Sequence, residues 1–110
     1  MDVSTEQIGG TTVVRFDGDL DTNTSQVAQD KLNAQIDDGN AHLLVSLRKV
    51  GFVSSAGLRI LLATAKRLTG GDCSLKISDL NETVQEVFEI SGFISILSVY
   101  ATEEEALKDG

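Results

Sequence analysis

Residues 43–58 read Leu-Leu-Val-Ser-Leu-Arg-Lys-Val-Gly-Phe-Val-Ser-Ser-Ala-Gly-Leu, and they decide the fold. Leu43 to Leu47 form a short, nearly continuous apolar run, which suits a central strand covered on both faces in a parallel sheet. Ser54-Ser55 then caps a helix. In that helix Leu58, Leu61, Leu62, Ala65 and Leu68 draw one apolar stripe, while Arg59, Lys66 and Arg67 face elsewhere. Gly70-Gly71 stops it. A buried strand running into an amphipathic helix is the repeating half of an α/β architecture.

The flanks extend the pattern. Val3 to Ile8 is a weak strand, Gly9-Gly10 supplies turn residues, and Thr12, Val14 and Phe16 alternate with Val13, Arg15 and Asp17. Together they read as a β-hairpin. Thr22-Asn23-Thr24-Ser25 is a cluster of capping residues. Behind it Ala28, Leu32 and Ile36 predict a helix from about Thr24 to Asp37, ended by Gly39-Asn40. Cys73 to Ile77 alternates as a strand with Cys73, Leu75 and Ile77 on one face, so Cys73 reads as a small buried hydrophobe. Asp79 with Glu82 resembles a capped helix start, Val84, Val87 and Phe88 give its buried side, and Ser91-Gly92 closes it. Ile96 to Tyr100 is a last strand. Thr102 and Glu105 form a capping box for a terminal helix. The order ββαβαβαβα predicts an α/β fold, a mixed sheet of about five strands joined by right-handed crossovers.

Composition narrows the function. The 110 residues suit a single domain, 1–110, with no linker or repeat. Nine basic against seventeen acidic residues give a net charge of −8, which repels nucleic acid and anionic membranes and favours protein partners. No apolar run approaches the ~20 residues that span a bilayer, and the polar N-terminus is unlike a signal peptide. One cysteine and one histidine leave no disulfide and no cysteine- or histidine-rich metal centre. A cytoplasmic protein without metal or cofactor is expected.

Several residues invite chemistry. Asp17, Asp19 and Asp21 alternate like calcium ligands, but the sixth position of an EF-hand loop would be Thr22 and the twelfth Ala28, where Gly and Glu are needed. They read better as solvated acids at a strand end beside a helix start. Ser55 has Gly57 after it but Val53 before it, so the Gly-x-Ser-x-Gly hydrolase elbow fails, and His42 is the one available base. Ser54 or Ser55 can simply cap the helix. A serine in a first helical turn is also a place to install phosphate, because free backbone N–H groups and the helix dipole accommodate added negative charge. His42 is expected to flank the central strand, and Phe52 is either a core plug or an interface anchor.

With these residues in view, the sequence resembles the STAS domain, the fold of bacterial anti-sigma factor antagonists. Gly18-Asp19-Leu20-Asp21, the strand Leu43 to Leu47 with its exit Val50-Gly51-Phe52-Val53, Ser54-Ser55-Ala56-Gly57-Leu58, and Val87-Phe88-Glu89-Ile90-Ser91-Gly92-Phe93 match family motifs in the family's order across nearly the whole chain. The resemblance implies a non-enzymatic partner switch. The unphosphorylated antagonist binds an anti-sigma factor that is also a serine kinase of the histidine-kinase-like ATPase fold. Phosphorylation releases it, and a serine phosphatase of the metal-dependent protein phosphatase family restores it. Carried over by position, the acceptor is Ser55, and the docking surface comprises Asp21, Thr22, Phe52, Ser54, Gly57 and Arg59. Two departures stand out: the acid usual before the acceptor is Ser54 here, a second hydroxyl, and the residue after it is Ala56. The alternative reading is a constitutive STAS interaction or small-ligand-binding module whose serines only cap.

Overall fold

The computed structural model describes residues 1–68, 73–92 and 97–108. The chain runs β1 (Asp2–Ile8), β2 (Thr11–Asp17), α1 (Ser25–Asp37), β3 (His42–Lys49), α2 (Ser55–Arg67), β4 (Ser74–Ser78), α3 (Glu82–Ser91), β5 (Ser98–Tyr100) and α4 (Glu103–Lys108). The strands form one mixed sheet in the order β1-β2-β3-β4-β5. The β1–β2 hairpin is antiparallel and the later pairs are parallel, as the expected ββαβαβαβα order requires. Gly9 turns the hairpin at φ +61°, a conformation that L side chains resist.

The sheet buries its two faces unequally. Val14 and Phe16 of β2, Leu43, Val45 and Leu47 of β3 and Leu75 and Ile77 of β4 share one core with Ala28 and Leu32 of α1, Leu58 and Leu61 of α2, and Val84 and Phe88 of α3. On the other face Val13 and Leu44 meet Ala106 of α4 in a small second cluster. All of Leu43 to Leu47 is buried, because β3 lies at the centre of the sheet with cover on both sides.

Three local expectations are corrected. Cys73 is exposed. The β3–β4 ladder begins at the His42–Ser74 pair, so Cys73 precedes the strand whose alternation it was assigned to. Asp79 does not cap α3. It sits at φ +62° with its carboxylate accepting from Ser78 Oγ (2.7 Å), and Asn81 is the N-cap instead, its side chain accepting from Val84 N–H (2.8 Å). The last strand begins at Ser98; Ile96 and the Gly70-Gly71 stop lie outside the described residues. The capping box at α4 is present as the Thr102 half, whose Oγ1 accepts from Glu105 N–H at 3.2 Å. His42 flanks β3 as expected, its Nδ1 2.9 Å from Ser74 Oγ.

Helix α4 is held by charge as well as by packing. Arg15 of β2 grips Glu103 with two N–H groups, Nε to Oε2 at 3.0 Å and Nη2 to Oε1 at 2.9 Å, and its Nη1 reaches Glu6 of β1 at 2.8 Å. This bidentate geometry is the strong form of an ion pair. The Arg15 hydrogen bonds hold Glu103 below its ordinary pKa of 4.5 against the opposing effect of partial burial, and the same bonds raise Arg15. A carboxyl whose folded pKa is depressed stabilises the fold above its unfolded pKa, and the contribution is lost as pH falls through the lower folded value. Glu103→Gln should therefore lower the thermal midpoint at pH 7. The gap to wild type should shrink as pH is taken below about 4.5. Paired melts at pH 7 and at acid pH check this; a gap constant with pH contradicts it.

Candidate functional site

Parallel strands β2 and β3 end at the same sheet edge, and their exits stay paired beyond the strands. Gly18 N–H donates to the Lys49 carbonyl (3.1 Å), Leu20 N–H to the Phe52 carbonyl (2.9 Å), and Ser54 N–H to the Leu20 carbonyl (2.8 Å). An isolated parallel bridge joins Leu20 to Val53. Asp21, the next residue after Leu20, is thereby brought beside the Ser54-Ser55 segment, 33 or more positions later in the chain.

Gly57 makes this juxtaposition sterically feasible. A Cβ at position 57 would lie 2.8 Å from the Leu20 carbonyl oxygen and 3.0 Å from both Leu20 Cβ and Val53 Cγ1. Helix α2 rests its first turn directly on the β2 exit. Gly57, expected to be exposed to a partner, is instead a buried packing residue of α2.

The two serines have different tasks. Ser54 is the N-cap of α2, with extended backbone (φ −81°, ψ 175°), and its side chain accepts from Gly57 N–H at 3.3 Å. Its carbonyl takes the first helical bond, from Leu58 N–H at 2.9 Å. Ser55, the first helical residue, is exposed, and its hydroxyl has no hydrogen-bond partner among the described residues. First-turn N–H groups have no intrahelical acceptor, and the first turn of this 13-residue helix carries no acidic residue. No acid of the helix's own thus compensates the positive end of the dipole next to this hydroxyl. Arg59, exposed, stands four residues after Ser55 and therefore on the same helix face.

The remaining expected residues surround this turn. Phe52 is 44% exposed, so it is no core plug. Thr22 is exposed. Asp21 Oδ1 accepts from Asn23 N–H (2.8 Å) and Thr24 N–H (3.1 Å), while Thr24, the N-cap of α1, makes no side-chain cap and donates its hydroxyl to the Asp19 carbonyl (2.6 Å). α1 consequently starts at Ser25, after a turn that Asp21 holds. Asn81 is the one residue of this region that the sequence reading missed. It donates to the Val50 and Gly51 carbonyls, both at 3.2 Å; its place three residues before Val84, as a strong capping type, was the available signal.

The carboxyl end of the central strand thus gathers a helix start, two serines and an exposed aromatic. The STAS domain family model matches residues 2–106, and the chain belongs to that family. BtrV of Bordetella bronchiseptica, a protein named for the anti-sigma factor antagonists, is 34% identical over 106 residues, which cover 96% of this chain and 91% of BtrV. A crystal structure of an anti-sigma factor antagonist from Mycobacterium paratuberculosis superposes with a TM-score of 0.91 at 25% identity, covering 98% of this chain and 92% of that one. The Bacillus cell fate determinant SpoIIAA, solved in its phosphorylated form, shares the fold at a TM-score of 0.72 and 24% identity, covering 98% of each chain.

Because the atoms around a position-57 Cβ include backbone, Gly57→Ala should destabilise the protein by about 1–3 kcal/mol, the usual range for overpacking. Urea denaturation checks this, and a stability equal to wild type would show that α2 can lift away without cost.

Proposed function

We propose that this chain is an anti-sigma factor antagonist that works by partner switching in the cytoplasm, and is itself a substrate rather than an enzyme. Unmodified, it binds an anti-sigma factor that is also a serine kinase of the histidine-kinase-like ATPase fold; phosphorylated on Ser55, it lets go; a serine phosphatase of the metal-dependent protein phosphatase family resets it. The observation that carries this reading is the division between the serines: Ser54 spends its oxygen on the cap, whereas Ser55 offers an exposed, unengaged hydroxyl at a helix start. Phosphate there adds about −1.5 to −2 charges within reach of free N–H groups, so the fold tolerates it. The same addition alters the charge and bulk of a surface built from Phe52, Thr22, Asp21 and Arg59. BtrV is a relative by name among antagonists, and SpoIIAA is a protein of this fold that exists in a phosphorylated form. Among the described residues no helix is long and apolar enough to cross a membrane.

Incubation with the cognate kinase and ATP, followed by peptide mass spectrometry, tests the acceptor. Ser55→Ala should abolish incorporation and Ser54→Ala should leave it on Ser55, while lowering stability by about 0.5–2 kcal/mol through the lost cap. Phosphate on Ser54 alone contradicts the assignment. Ser55→Asp should weaken binding to the kinase, tenfold for each 1.4 kcal/mol lost, with partial mimicry because a carboxylate carries less charge than phosphate. Calorimetry reads this directly; equal affinity of Ser55→Asp, phosphorylated and unmodified protein would favour the constitutive module.

A further inference from the structure

The loop from Val50 to Ser54, which presents Phe52 and leads directly into Ser55, is held from two sides by different means. On the β2 side the bonds are backbone to backbone: Gly18 N–H to Lys49, Leu20 N–H to Phe52, and Ser54 N–H to Leu20. No side-chain substitution removes them. On the α3 side, among the described residues, a single side chain hydrogen-bonds to this loop. Asn81 Nδ2 donates to the Val50 carbonyl and to the Gly51 carbonyl, each at 3.2 Å. The orientation of the amide is fixed by its other end, since Oδ1 accepts from Val84 N–H at 2.8 Å and an oxygen must stand there. The chain reaches this position through Asp79, whose left-handed backbone (φ +62°) turns β4 towards α3. The Asp79 turn is itself tied down by Asp79 N–H to the Tyr100 carbonyl at 3.3 Å.

We propose that Asn81 is the positioning residue of the Ser55 segment. One side chain caps α3 with its oxygen and tethers the acceptor loop with its nitrogen, so that loop and helix present one rigid surface to the partner. This rests on the reading of Ser55 given above and deepens it. The two functions of the amide are chemically separable. Asn81→Asp keeps an oxygen for Val84 N–H and remains as good a helix cap, favoured further by the dipole. It loses the donor and sets a carboxylate opposite the Val50 and Gly51 carbonyl oxygens, which repel it. Asn81→Ala loses both cap and tether.

Amide hydrogen exchange on the full chain, read residue by residue by NMR, tests the tether without any partner. In Asn81→Asp the Ser54 and Leu20 amides, whose bonds pin the loop to the β2 exit, should exchange about fivefold to tenfold faster, the loss expected for local opening when hydrogen bonds of ordinary strength are removed. Amides of the β3 centre such as Val45 should be unchanged, and the melting temperature should stay close to that of wild type. Chymotrypsin should cleave after Phe52 several-fold faster in this variant under native conditions. Asn81→Ala should show the same loop opening together with a lower melting temperature. With the kinase and ATP of the Ser55 test, Asn81→Asp should raise KM several-fold at nearly constant kcat. Unchanged exchange at Ser54 and Leu20, or acceleration spread equally over β3, overturns the tether. A loosened loop with unchanged KM overturns its role in recognition. Failure of the Ser55 reading is seen separately, as absence of phosphate on Ser55 in the wild type, while the exchange result stands on its own.

Discussion

The contact between Gly57 and the exit of β2 is the constraint on which the rest of the site depends. With the Leu20 carbonyl 2.8 Å from where a Cβ would stand, α2 begins in direct touch with backbone. That closeness lets Ser54 N–H use the Leu20 carbonyl as acceptor and lets the Leu20–Val53 bridge continue the β2–β3 pairing past the strand ends. Once the helix start is pinned, the roles of the serines follow from backbone geometry. The residue with extended backbone becomes the cap and turns its oxygen to Gly57 N–H, and the next residue, already helical, is left with its hydroxyl free. Buried packing thus determines which of two chemically identical neighbours caps the helix and which keeps an exposed hydroxyl.

Charge explains why such a turn suits a switch. The chain carries −8 overall, yet the first turn of α2 has no acid of its own, and Asp21, which leaves the neighbouring β2 exit, has one oxygen committed to the turn before α1. The helix start is therefore a local positive end within an acidic molecule, where a phosphate meets N–H dipoles without being forced against a neighbouring side-chain charge on the same turn. A docking partner that had matched an exposed phenylalanine and a neutral hydroxyl would instead meet two negative charges.

Much of this was legible in the sequence because local patterns carried it. The apolar run Leu43 to Leu47 and the stripe through Leu58 and Leu61 each report burial within a few residues, and the fold buries them accordingly, whereas β2 is buried more evenly than its alternation predicts because Val13, on the other face, packs against Ala106 of α4. The failures lie where tertiary register decides. Cys73 continued an alternation on paper, but the ladder starts at Ser74, so it is exposed. Asp79 and Asn81 are both good capping types, and the turn needed to leave β4 put the left-handed residue at Asp79 and the cap at Asn81. Thr22 to Ser25 read as the capping cluster of α1, yet the turn before the helix is held by Asp21, which the strand exit delivers first. The Arg15–Glu103 clamp joins residues 88 apart, and no local pattern announces it. Of the expected site residues, Phe52, Ser55 and Arg59 are exposed, Ser54 is half-buried as the cap, and Gly57 is buried against the β2 exit.

The central claim is that a single phosphate on Ser55 changes what this surface binds without unfolding it. Calorimetric titration of the cognate anti-sigma kinase with unmodified and with Ser55-phosphorylated protein, each first shown by melting to be folded, tests it most directly. The account predicts tight binding of the unmodified form and a loss of at least tenfold on phosphorylation, or about 1.4 kcal/mol. Equal affinity of two equally folded forms would contradict it.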